Sequence, residues 1–73
     1  MATTIVYYVN QFTGLRVGII GGMQAGVVYA PAVNLPQTED EEHYVRVPGG
    51  EDGRDGKMFD VRFWSEVETR TLI

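Results

Sequence analysis

Nucleophilic catalysis in this chain would have to be built on His43, its one histidine, which stands between Glu42 and Tyr44. A nucleophile needs a base beside it, and the sequence does not place any of the few serines and threonines against His43. The sequence holds no cysteine, so a triad or a zinc site would lack its usual partners. A structural or surface role for His43 is the expectation, and with it a protein that is not an enzyme.

Carboxylates are plentiful, ten in all, and four run consecutively as Glu39, Asp40, Glu41 and Glu42. Acid–base catalysis needs carboxyl groups whose pKa values are pushed apart by burial or by close charges, and loop carboxylates in water are not. Residues 52–57, Asp-Gly-Arg-Asp-Gly-Lys, invite a calcium loop, but Arg54 and Arg62 fall where ligands are required. No metal and no cofactor is expected.

The glycines raise a third chemistry. Gly18, Gly21, Gly22 and Gly26 crowd into an uncharged stretch, residues 17–38. A phosphate-binding loop would end in Gly-Lys-Ser/Thr, and here Met23 and Gln24 follow Gly22. A dinucleotide fingerprint would open a helix after its GxGxxG, whereas these glycines lie between two strand-like runs. A backbone nest for a small ligand at Gly21 and Gly22, with Arg16 supplying charge, is the surviving variant. The spacing of Gly18, Gly22 and Gly26 also matches a membrane helix zipper, but Gln24, Pro31, Asn34 and Pro36 interrupt the span, and no membrane segment is expected.

The elements that carry these residues read as β throughout. Residues 3–9, Thr-Thr-Ile-Val-Tyr-Tyr-Val, are β-branched and aromatic with both faces apolar, as in a central strand or an interface. Residues 10–14 form a hairpin loop with Gly14 at positive φ and Phe12 at the tip, either folded back on the core or standing out as an anchor. Residues 15–20 and 27–30 would pair as a glycine-turned hairpin that sets Gly18 beneath Tyr29, an aromatic ring over bare backbone. A tighter turn on Gly21 and Gly22 would pair Ile20 with Met23 instead.

Pro31 and Pro36 end that unit, and residues 37–42 form an acidic loop. Residues 43–48 alternate as a strand with one wet face. Residues 49–57 are a glycine-rich turn, and residues 57–64 alternate again, placing Phe59, Val61 and Phe63 inside and Met58, Asp60, Arg62 and Trp64 outside. The tail from Ser65 fits a capping box with Glu68 or, from its threonine alternation, a strand; the strand is preferred.

These elements make one small domain, residues 1–73, mainly β: an antiparallel barrel or sandwich of five to six short strands, with a C-terminal strand or short helix. A core this size supplies only about 3 to 5 kcal/mol, and without disulfides self-association or a partner is the expected supplement. The formal charge of −4 and the six scattered cations argue against nucleic-acid binding. That also disfavours Tyr7, Tyr8, Tyr44 and Trp64 as a base-stacking platform.

No leader is evident near the N-terminus, and a cytoplasmic setting is expected. The expected function is a protein-binding module or inhibitor that meets a basic partner. Phe12, Tyr44 and Trp64 would be its aromatic contacts and Glu39, Asp40, Glu41 and Glu42 its steering charge, with nucleic-acid mimicry as one form. Alternatives are a self-associating structural subunit, for instance of a viral assembly, joined through its first strand, and a small-ligand binder at the glycine loop.

Overall fold

The computed structural model describes residues 2–35, 41–47 and 56–72. They form six strands and no helix: β1 (Thr3–Asn10), β2 (Arg16–Ile20), β3 (Val28–Pro31), β4 (Glu42–Arg46), β5 (Lys57–Met58) and β6 (Trp64–Leu72). The strands join one mixed sheet in the order β5-β3-β4-β2-β1-β6. The mainly β expectation holds, with the tail a strand. The sheet is not closed into a barrel, and β2 and β4 run parallel in it.

β1 is central, paired antiparallel with β2 on one side and β6 on the other. That placement explains its two apolar faces: Ile5 and Tyr7 are buried on one, and Tyr8 packs against the core on the other. It also removes β1 as a docking strand, because both of its edges are taken.

The expected hairpin of residues 15–30 does not form. β4 inserts between β2 and β3, so Gly18 lies beside His43 of β4 and Tyr7 of β1, while Tyr29 sits opposite Arg46. The fit at Gly18 joins residues distant in sequence. A side chain at Gly18 would bring its Cβ to 2.6 Å from His43 Cδ2 and 2.9 Å from both Ile5 Cγ2 and Tyr7 Cε1. The bare backbone that the sequence assigned to Tyr29 is covered by Tyr7 and His43, whose rings meet edge to face at 5.7 Å.

The loop after β2 is glycine-turned as expected, with positive φ at Gly21, Gly22 and Gly26. Two hydroxyls pin it to the sheet: Tyr8 Oη accepts from Met23 N at 2.9 Å, and Tyr29 Oη accepts from Gln24 N and donates to Gly22 O at 3.0 Å.

The core lies on the opposite face from Tyr7 and His43. Val17 and Ile19 of β2, Tyr29 of β3 and Tyr44 of β4 converge there on Phe59, which arrives on the connection from β5 to β6. Phe59 meets Tyr29, Tyr44 and Trp64 edge to face at 6.1, 5.1 and 5.2 Å, spacings at which aromatic quadrupoles attract.

Sequence alternation across residues 57–64 fails after Phe59. β5 stops at Met58, and Asp60 turns the chain: its Oδ1 accepts from Arg62 N at 2.9 Å and its carbonyl from Phe63 N at 3.0 Å. An Asx turn of this kind offers the backbone an alternative to the ladder. Val61 and Phe63 are thereby turned out, 46% and 41% exposed, and Trp64 is turned inward onto Phe59.

Candidate functional site

Three places in the described residues gather side chains with something to offer. The first is a polar cluster over Tyr7. His43 Nε2 and Tyr7 Oη are 2.9 Å apart, and the Glu41 carboxylate lies 4.0 Å from the same nitrogen. Arg70 donates to Glu41 at 3.4 Å and to Glu68 at 3.1 Å, and Arg16 pairs with Glu68. The two guanidinium groups flank the Tyr7 ring at 5.0 and 4.7 Å. His43 is 3% exposed and Tyr7 2%, so both side chains are buried. The cluster ties β4 and β6 to β1 across Gly18.

The second is a cleft of about 210 Å³ lined by Pro31, Glu42, His43, Tyr44 and Lys57. Tyr44 Oη donates to Glu42 and accepts from Lys57 Nζ at 2.9 Å. Burial, reinforced by the bond to Glu42, pushes the Tyr44 hydroxyl above its ordinary range, and the bond to Tyr44 pushes Lys57 up. Both groups move away from neutrality, where general acid–base catalysis would need them.

The third is the end of the sheet where β1 turns into β2. Asn10 builds the turn: its Oδ1 accepts from Phe12 N at 2.8 Å and Thr13 N at 3.0 Å, its carbonyl accepts from Gly14 N, and its N–H donates to Leu15 O. Gly14 takes the left-handed conformation, φ 75°, that closes such a loop. With the backbone so fixed, Phe12 is 77% exposed and Leu15 63%. Gln11 N donates to Phe63 O at 3.0 Å and Gln11 Nε2 to Ser65 Oγ at 3.0 Å, holding the loop against the start of β6.

The Phe12 and Phe63 rings stand edge to face at 5.5 Å, and the Arg62 guanidinium lies 5.6 Å from the Phe63 centroid. These two rings form an apolar tip carried on hydrogen-bonded turns from two separate segments.

Asp60 holds the second of those turns, and its carboxyl is lowered to about 2 by the Arg62 guanidinium first and by the Arg62 N–H second. The folded pKa lies below the unfolded one, so this contribution is complete above the usual carboxylate range and is lost as the pH falls through about 2. In Arg62→Ala the Asp60 titration should rise toward 3.8 and stop short of it, because the backbone donor remains. Side-chain carboxyl chemical shifts against pH measure it; an unchanged midpoint would contradict the assignment.

The residues singled out from the sequence are dispersed by the fold. Phe12 stands out. Tyr44 is 2% exposed and Trp64 packs on Phe59, so neither offers a free surface ring. Glu41, its side chain 15% exposed, is engaged by Arg70; Glu42 is exposed and bonded to Tyr44. Glu39 and Asp40 lie outside the described residues.

Arg16 and the Gly21–Gly22 pair sit at opposite ends of β2, roughly 16 Å apart at about 3.3 Å per residue, and do not form one ligand site. The N–H groups of Met23 and Gln24, which a nest would use, already donate to Tyr8 and Tyr29. Phe63 is the functional candidate missed in the sequence. Its signal was Asp60 two residues before Arg62, an Asx-turn pattern that interrupts the alternation.

Among the described residues no group of three or more histidine or acidic side chains could hold a metal ion, and no helix is long and apolar enough to cross a membrane. The geometry defines a small open-sheet β domain with an exposed aromatic tip. No family model matches the chain, and no curated protein or solved structure proved similar to it.

Proposed function

We propose that the chain is a non-catalytic protein-binding module that inserts the Phe12–Phe63 tip into an apolar pocket of a partner with a basic surface. The observation that carries this reading is the tip itself. Two aromatic side chains stand out of a 73-residue domain on turns that are hydrogen-bonded on both sides, so little ordering is left to be done on binding. Aromatic anchors of this kind dominate binding energies where they fill pockets.

The charge distribution supports a basic partner. The described residues carry five acidic and five basic side chains, and the whole surplus of negative charge belongs to residues 36–40 and 48–55. β4 runs parallel to β2 and pairs Glu42 with Val17, so the chain enters β4 at the end of the sheet that carries the tip. In sequence, Glu39 and Asp40 precede Glu41 and that entry. The acidic surplus would steer the encounter while the rings supply the lasting contact.

A photo-reactive phenylalanine analogue at position 12 tests the reading in extract of the source cells. The expected product is one discrete hetero-adduct that is absent when the analogue replaces Thr4, an exposed residue away from the tip, and that weakens as salt is raised. No adduct from position 12, or the same adduct from both positions, would contradict it.

A further inference from the structure

β6 borders the sheet, pairing with β1 on one side and with no strand of the described residues on the other. Its hydrogen-bonding phase follows from β1. Thr4 O accepts from Gly21 N and Asn10 N donates to Leu15 O, so the even-numbered residues of β1 point their backbone groups at β2. Ile5 and Tyr7 therefore point theirs at β6, where they face Arg70 and Glu68. Thr69 and Thr71 are left with N–H and C=O directed outward.

We infer that this edge pairs with the same edge of a second copy, antiparallel, with Thr69 directly opposite the second copy's Thr69. Outward groups must meet outward groups, which restricts a two-fold pairing to registers in which odd-numbered residues oppose odd-numbered ones. Charge then selects among these. Centring the axis between residues 66 and 68 sets Glu66 against Glu68, centring it on Glu68 sets that residue against its own copy, and centring it on Arg70 does the same for arginine. Only the axis through Thr69 makes ion pairs with no like charges opposite one another, placing Glu68 opposite Arg70 twice; an axis through Thr71 also avoids like charges but sets Arg70 against Leu72 and makes no ion pair.

The ion-pair row already present, Glu41–Arg70–Glu68–Arg16, would then run on across the two-fold axis with alternating sign. On the other face Thr69 meets Thr69 and Val67 meets Thr71, both β-branched pairs. β6 has no lysine and no proline, the residues that usually blunt an edge, and its one bulge, at Val67, falls at the margin of this ladder. Thr69 lies five residues along β6 from Trp64, so the pairing leaves the aromatic tip free and stands independently of the function proposed above.

The absence of native cysteine gives a direct test. Thr69→Cys should cross-link to itself under mild oxidation, since directly opposed residues have Cα atoms about 5.5 Å apart, within disulfide reach. Thr71→Cys should do so at least about tenfold more slowly, because its opposite number is Val67. Sedimentation equilibrium of the unmodified protein should show a dimer. Thr69→Pro, which removes only an outward N–H, should be monomeric.

A monomer at millimolar concentration, equal cross-linking at 69 and 71, or a dimer untouched by Thr69→Pro in a folded variant would overturn the proposal. If Thr69→Pro does not fold, the two cysteine rates and the mass of the unmodified protein decide it.

Discussion

Gly18→Val should leave the chain unfolded at room temperature, and Gly18→Ala should cost at least about 2 to 3 kcal/mol, more than half of what a core this size supplies. The Cβ position at Gly18 is already occupied on three sides by His43, Ile5 and Tyr7, each closer than 3.0 Å. None of the three can step aside cheaply. Ile5 is fully buried, and the Tyr7 and His43 rings are locked by their own hydrogen bond at 2.9 Å. Gly14 makes the control: it has positive φ and open space around its Cβ, so Gly14→Asn should cost no more than about 1 kcal/mol. Urea denaturation of the three variants gives the comparison. A Gly18→Ala variant as stable as the parent would mean that β4 does not lie beside β2.

The second large effect is at Phe59. Removing its ring takes away the one group that touches Tyr29, Tyr44 and Trp64 together, and Phe59→Ala should cost about 3 to 5 kcal/mol. Phe63→Ala, four residues on and of identical chemistry, should cost under about 1 kcal/mol because its ring is 41% exposed. Trp64 is the sole tryptophan, so its emission reports the event directly: a red shift in a folded fraction of Phe59→Ala and little change in Phe63→Ala. Equal costs at the two positions would restore the simple alternation of residues 57–64 and contradict the turn at Asp60.

Those two experiments bear on the points where sequence and structure part. The strands were legible because their β-branched and aromatic runs are unmistakable: residues 3–9 became β1, and the threonine alternation of the tail outweighed the Ser65–Glu68 capping pattern. Loop glycines were legible for the same kind of reason, since Gly14, Gly21, Gly22 and Gly26 all take the positive φ that glycine alone adopts freely.

Beyond the hairpin of β1 and β2, strand neighbours were not legible. A short connection such as residues 21–27 favours a hairpin, and nothing local signals that β4 will enter between β2 and β3 in parallel. The fit of His43 and Tyr7 over Gly18 is a match between residues 36 apart in sequence. Orientation of side chains after Phe59 was misjudged because one Asx turn resets the phase, exchanging the exposures expected of Phe63 and Trp64. The candidate site was half legible: Phe12 at a hairpin tip was evident, its companion Phe63 was not.

The tip can be weighed most directly by titrating the partner captured at residue 12 against the unmodified protein and against Phe12→Ser. Phe12 is 77% exposed and supports no core contact, so the variant should keep the parent's urea midpoint. A pocket-filling anchor is worth about 2 kcal/mol or more, and the dissociation constant should therefore rise at least about 30-fold. An unchanged dissociation constant in a variant of unchanged stability would contradict the assignment of the Phe12–Phe63 tip as the binding site.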